Sequence, residues 1–186
     1  MQFHFYKYQG TGNDFILIDN RTDLFPKNST EIIRTLCDRK FGIGADGLML
    51  LENAAGYDFK MVYYNADGNE STMCGNGGRC IAAFSKVLNI TNQKGIFLAI
   101  DGGHEFEINK HIVSLKMIDV HEIKDRKDSF VLFTGSPHYV QFRNDIDKIE
   151  IVEDARKIRY NEEFAKEGIN VNFVEEKDGK VFMRTY

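Results

Sequence analysis

Asn65-Ala66-Asp67-Gly68-Asn69-Glu70-Ser71-Thr72-Met73-Cys74-Gly75-Asn76-Gly77-Gly78-Arg79-Cys80 places a thiol in a glycine-rich turn that follows a strand and opens a helix. Behind it Cys80, Ile81, Phe84, Val87 and Leu88 recur at helical spacing, which predicts an amphipathic helix with Cys74 near its N-terminus. The unpaired N–H groups of a first helical turn, together with the positive end of the helix dipole, favour anions. A cysteine there gains thiolate character, and an incoming carboxylate finds donors. Gly75, Gly77 and Gly78 add room for a ligand to approach the backbone. The plainer alternative, a buried structural cysteine in a tight turn, loses ground to the glycines and the helix start.

Working outward, the chain has 186 residues, enough for one large domain or two small ones with modest cores. Its net charge is -4 with no block of Lys or Arg, which argues against nucleic acid or an anionic membrane as partner. No apolar run approaches the length of a membrane span, and the first residues lack the basic-then-apolar order of a signal peptide. Three cysteines, an odd count, then favour reduced thiols in the cytoplasm over a disulfide framework. A structural zinc site on Cys74 and Cys80 finds no second Cys/His pair in register.

Residues 3–9 and 15–19 read as strands around Gly10-Thr11-Gly12-Asn13-Asp14. Because that GxG opens no helix, a nucleotide loop is weakly supported, and Asn13 is a turn residue or an amide offered to a ligand. Asn28 or Ser29 caps a helix with Ile32, Ile33, Leu36 and Cys37 on one face, which makes Cys37 a core residue. Gly42-Ile43-Gly44-Ala45-Asp46-Gly47 turns into a strand at 48–51, and a strand at 58–64 delivers the chain to Asn65. Residues 96–117 form an antiparallel meander, completing a first unit over 1–117. In 118–186, strands at 131–134, 139–142, 171–175 and 180–186 surround a helical stretch at 149–160.

The second unit repeats the plan of the first. Glu31-Ile32-Ile33, Gly42-Ile43-Gly44 and the strand at 59–64 are matched in order by Glu150-Ile151-Val152, Gly168-Ile169-Asn170 and the strand at 181–186. The offset is about 122 residues, so Tyr64 falls on Tyr186 and a counterpart of Cys74 would lie beyond it.

Together, Gly12-Asn13-Asp14-Phe15, Gly42-Ile43-Gly44-Ala45-Asp46-Gly47, Asn65-Ala66-Asp67-Gly68 and Cys74-Gly75-Asn76-Gly77-Gly78-Arg79-Cys80 resemble the diaminopimelate epimerase family. Gly135-Ser136-Pro137-His138 and Asn170-Val171-Asn172-Phe173 extend the match over nearly the whole chain. Asn76 sets it apart from proline racemases, in which His is usual at that place. Phenazine-biosynthesis isomerases share the fold but are not expected to carry the cysteine motif.

The resemblance implies an α+β fold of two pseudo-repeated halves, each an antiparallel sheet wrapped around a central helix, the second half incomplete in 118–186. A ligand cleft between halves is part of that expectation. It also implies inversion at one α-carbon of LL-2,6-diaminopimelate, a step of lysine and peptidoglycan-precursor biosynthesis, with neither cofactor nor metal. A thiolate takes a proton from one face of that carbon while a thiol gives one to the other, and both must titrate near working pH.

Carried over by motif, Cys74 is the first catalytic cysteine. Asn13, Asn65, Gly75, Asn76 and Asn170 bind substrate, and His138 tunes the pKa of a catalytic cysteine. His4, His104, His111 and His121 gain no such support. Ser136 replaces an Asn common in the family and Gly47 a Gln found in some members, both bearing on the distal end of the substrate. The family's Glu-Arg pair and second cysteine motif would follow Tyr186, so this chain alone is expected to be inactive. Partners are then the small-molecule substrate and a second copy in a homodimer, with no nucleic acid and no membrane. The alternative is a half-enzyme or binding module for a dicarboxylic amino acid that needs a partner chain.

Overall fold

The computed structural model describes residues 2–186. The chain divides into two compact units, Met1–Ile118 and Asp119–Tyr186. In the first, β1 (Tyr6–Gly10), β2 (Asn13–Asp19), β3 (Gly47–Glu52), β4 (Phe59–Asn65), β5 (Lys94–Ala99), β6 (Gly102–Asn109) and β7 (Ile112–Leu115) form one sheet in chain order. Helix α1 (Thr30–Cys37) joins β2 to β3, and α2 (Gly75–Val87) joins β4 to β5.

Those two helices determine the strand directions. β1–β2, β3–β4, β5–β6 and β6–β7 pair antiparallel, whereas β2–β3 and β4–β5 pair parallel. Parallel neighbours need a crossover that returns the chain to the same end, and each helix supplies one. The sheet is therefore mixed rather than antiparallel throughout, a detail that hydrophobic alternation does not carry.

The helices lie on opposite faces. Phe15, Leu17, Met49, Leu51, Phe59 and Met61 pack with Cys80, Ile81 and Phe84 of α2. The intervening Ile16, Ile18, Leu48, Leu50, Val62 and Tyr64 pack with Ile33 and Cys37 of α1. Strands covered on both faces read as continuous apolar runs, as Phe15-Ile16-Leu17-Ile18 does. β6 keeps one covered face, and its residues alternate buried and exposed.

α2 is the central element. It touches β1 and β7 as well as β2, β3 and β6, so the sheet curls around it. Close approach is what its glycines supply. A Cβ on Gly77 would fall 2.3 Å from Met49 Cε, and one on Gly78 would fall 2.7 Å from both Leu115 Cδ2 and Met73 Cε. These two glycines therefore face the sheet and seat the helix. Gly75 alone of the three would hold a Cβ at ordinary contact distance, with Met117 Sδ nearest at 3.7 Å. Val87, in the last turn, points outward at 55% exposure rather than joining the apolar stripe.

His104, on β6, is fully buried. Its Nδ1 donates to Lys116 O at 3.0 Å and its Nε2 pairs with Asp101 Oδ1 at 3.0 Å, tying the β5–β6 turn to the chain that leaves β7.

The second unit holds β8 (Ile123–Asp125), β9 (Phe130–Phe133), β10 (Pro137–Phe142), β11 (Asn170–Lys177) and β12 (Lys180–Thr185) in a sheet ordered β12-β11-β10-β9-β8. Helix α3 (Ile151–Arg159) joins β10 to β11, which pair parallel, while β9–β10 and β11–β12 pair antiparallel. The run β9-β10-α3-β11-β12 thus repeats β1-β2-α1-β3-β4 in order and in direction. Val171 and Phe173 form its core with Ala155 of α3, Ile146, Phe164 and Ile169. Among the described residues no helix is long and apolar enough to cross a membrane.

Candidate functional site

The site in the first unit is built where three adjacent strands end on the α2 face. Phe15 lies opposite Gly47, and Gly47 opposite Asn65. Alternation then sends Asn13, Gly47, Tyr63 and Asn65 to the same face as the α2-packing residues Phe15, Met49 and Met61. β4 leaves the sheet there, and the loop brings Cys74 back to open α2.

Cys74 is the N-cap residue, with extended backbone, and its own side chain makes no capping bond. Gly78 N–H reaches Cys74 O at 2.7 Å, closing the first turn. The N–H groups of Gly75, Asn76 and Gly77 precede the first intrahelical donor and are left for a ligand. Two amides flank this point. The Cys74 thiol donates to Asn13 Oδ1 across 3.7 Å. Asn76 Oδ1 accepts from Thr11 Oγ1 at 2.9 Å and from Arg79 Nη2 at 2.6 Å, and its NH2 group bonds to no side chain or backbone group among the described residues.

The orientation of Asn13 is enforced from behind. Its Nδ2 donates to Asp46 Oδ2 at 2.7 Å, and a carboxylate only accepts, so the amide oxygen must face the sulfur. Asp46 is held in turn by Arg39 Nη2 at 2.8 Å and by the Asp14 N–H at 3.1 Å. Arg39 also donates to Asp14 Oδ1 at 2.7 Å, and Lys7 donates to Asp14 Oδ2 at 2.8 Å and to Gly44 O. These hydrogen bonds, Arg39 first, hold the Asp14 carboxyl well below the usual carboxylate range. Asn65 sits exposed at the end of β4.

Three free thiols have three different settings. Cys74 is half-buried at the site. Cys37 packs in the α1 layer and Cys80 in the α2 layer, where burial pushes each thiol up to about 11. No group of three or more His, Cys, Asp or Glu placed to hold a metal ion occurs among the described residues.

The second unit gathers the other two candidates into a cluster of their own. His138 lies opposite Asn170 where β10 pairs with β11. Asn172 Nδ2 donates to His138 Nδ1 at 3.1 Å, so the ring proton is on Nε2, which donates to Ser136 Oγ at 3.0 Å. Asn170 Nδ2 also donates to Ser136 Oγ, and to Pro137 O, at 3.2 Å each. Its NH2 is therefore engaged internally and its oxygen remains. Burial lowers the His138 pKa, which keeps the ring neutral. Asn172, only 3% exposed, is further fixed by Thr185 Oγ1 donating to its Oδ1 at 2.9 Å.

Asp46, Arg39, Thr11 and Asn172 are site-shaping residues that the sequence reading passed over. Asp46 was visible only as a turn residue, and its partners Asn13 and Arg39 are remote in sequence. Asn172 had one signal, its place two residues after Asn170 on a strand and so on the same face.

Residues 5–119 match the family model described as diaminopimelate epimerase. Over 183 residues the chain is 55% identical to the diaminopimelate epimerase of Flavobacterium psychrophilum, covering 97% of this chain and 72% of that protein. The chain belongs to the diaminopimelate epimerase family. A second member of the diaminopimelate epimerase family, from Chlorobaculum tepidum, is 42% identical over 175 residues, with 89% of this chain and 67% of that one covered. Among solved structures, a phenazine biosynthesis protein of the PhzF family from Enterococcus faecalis superposes with a TM-score of 0.64 at 13% identity, over all of this chain and 74% of that one. A Bacillus anthracis PhzF-family protein gives 0.62 at 14% identity, over 98% and 69%. These two likenesses concern the fold alone.

Proposed function

We propose that the chain supplies the Cys74 side of a diaminopimelate epimerase, an enzyme of lysine biosynthesis, and that Cys74 transfers the proton on one face of the substrate's α-carbon. The observation that carries this is the setting of Cys74, a family cysteine at an open helix N-terminus between two amides of opposite orientation. The α-carboxylate of an amino acid suits the N–H groups of Gly75, Asn76 and Gly77 and the Asn76 NH2, while its ammonium suits Asn13 Oδ1.

In the proposed step the thiolate of Cys74 takes the α-proton and becomes a thiol. The electron pair left on carbon spreads into the adjoining carboxylate, where the helix N-terminus stabilises it. A second thiol on the opposite side of the carbon gives its proton there and becomes a thiolate, which completes the inversion with no net oxidation and no cofactor in the balance. Asn65 offers a further amide to the ligand. In the second unit Asn170 presents an amide oxygen, and His138, held neutral with its proton on Nε2, adjusts the ionisation of a catalytic cysteine. Three free thiols suit a reducing cytoplasm.

The test is selective alkylation. Iodoacetamide should modify Cys74 about tenfold or more faster than Cys37 or Cys80, whose thiols are enclosed. LL-diaminopimelate should protect Cys74, and mass spectrometry of the peptides reads both outcomes. Equal rates at the three positions, or no protection by the substrate, would reject the proposal.

A further inference from the structure

Tyr63 is on β4, two residues before Asn65 and on the same α2-facing side. Its ring meets Phe15 edge-on, with centroids 6.0 Å apart. A Cβ on Gly47 would fall 2.5 Å from Tyr63 Cε2 and 3.0 Å from the hydroxyl, so the phenol fills the space that a side chain at position 47 would need. Gly47 itself lies directly across from Asn65. The phenol thus stands in the row of strand ends that forms the site.

Packing does not account for the hydroxyl. It bonds to no described residue, Asp46 accepting instead from Asn13, the Asp14 N–H and Arg39. Nor is it sealed in, because among the described residues the enclosed side-chain polar atom without a partner is Asp101 Oδ2. Phenylalanine would keep the ring contacts without the hydroxyl. Burial first, then the negative charges at Cys74 and Asp46, push the phenol above its ordinary range, so it remains a donor at neutral pH.

We propose that Tyr63 is a specificity-determining contact of the substrate site, its hydroxyl, admitted by Gly47, donating to a carboxylate oxygen of the amino acid held beside Cys74. This rests on the reading of Cys74 as the substrate-facing thiol. No bond joins the hydroxyl to the sulfur, so the contact concerns the ligand and not the nucleophile.

Tyr63→Phe removes one oxygen and keeps the ring. With iodoacetamide as probe, the 186-residue chain and the variant are compared for Cys74 alkylation without ligand and across a titration of LL-diaminopimelate. Ligand-free rates should agree within about twofold, and the half-protecting concentration should rise about tenfold or more, as expected for one hydrogen bond to a charged group. Equal half-protecting concentrations overturn the assignment. A ligand-free rate changed by more than about threefold also overturns it, since the hydroxyl would then act on the sulfur. Absence of protection in the parent chain instead removes the substrate reading, and this contact with it.

Discussion

Asn13 and Asn76 are chemically the same residue, yet one presents oxygen and the other nitrogen because their neighbours differ. Asp46 can only accept, so it takes the NH2 of Asn13, whereas Thr11 and Arg79 donate and so take the oxygen of Asn76. The motif shows that amides are present, but not which end each one offers, since that depends on residues brought in from other elements. Arg39 is central to the first arrangement because it bridges Asp14 and Asp46. The Asp14 carboxyl is depressed in the fold, so the folded state binds its proton less readily than the unfolded chain. Its contribution to stability is complete above the unfolded pKa of about 4 and is lost as pH falls through the lower folded value. Arg39→Leu removes the largest cause of that depression, so the acid-unfolding midpoint followed by circular dichroism should move up by a few tenths of a pH unit. An unchanged midpoint would show that Arg39 is too solvent-screened to matter, its side chain being 60% exposed. His104 poses the buried counterpart. His104→Phe preserves stacking on Phe97 but leaves the Asp101 side chain, 5% exposed, and Lys116 O without their partner. A loss of about 2 kcal/mol is expected in urea unfolding from the buried hydrogen-bond partners left unpaired, and a loss below about 1 kcal/mol would contradict that pairing.

At the scale of elements, the α2 N-terminus is placed by contacts about one turn away from the chemistry. Gly77 and Gly78 let the helix sink against Met49, Leu115 and Met73, and that depth positions Cys74 above the ends of β2, β3 and β4. Sequence periodicity located α2 and its start, yet it assigned those glycines to ligand approach, because a glycine records that something comes near without saying what. Strand pairing was hidden for a similar reason. Alternation marks which residues are buried, but parallel β2–β3 and β4–β5 pairing follows from helices crossing opposite faces, a property of no single window. β8, Ile123-Lys124-Asp125, has neither alternation nor burial and gave no signal at all. Gly77→Val tests the seating of α2. The added methyl groups have to displace Met49 within a closed core, so unfolding free energy should fall by about 2 kcal/mol. Cys74 should also lose substrate protection as the helix end lifts. Met49→Ala in the same chain should recover part of both losses, and full tolerance of Gly77→Val would show that α2 is not held by this contact.

Across the whole molecule, duplication of a strand, strand, helix, strand, strand plan is legible in the sequence because Gly-Ile-Gly and Gly-Ile-Asn punctuate the two copies in the same order and at similar spacing. What duplication does not disclose is how the cysteines are divided. One thiol stands at the site, and the other two sit in the layers on opposite faces of the first unit's sheet, each with its proton held tightly by burial. Inversion at a carbon requires removal of hydrogen on one side and delivery on the other, so a second reactive group has to face Cys74 across the substrate. Neither Cys37 nor Cys80 meets that requirement without unfolding its layer. The polypeptide of these 186 residues, incubated with LL-diaminopimelate in deuterium oxide, should therefore give no meso isomer above the uncatalysed background, even where Cys74 is shown by alkylation to be reactive and protected. Cys37→Ala and Cys80→Ala should leave that outcome unchanged. Formation of the meso isomer with deuterium at the inverted carbon would refute the single-thiol account, and its loss in one of these two variants would identify the cysteine that the packing argument had wrongly set aside.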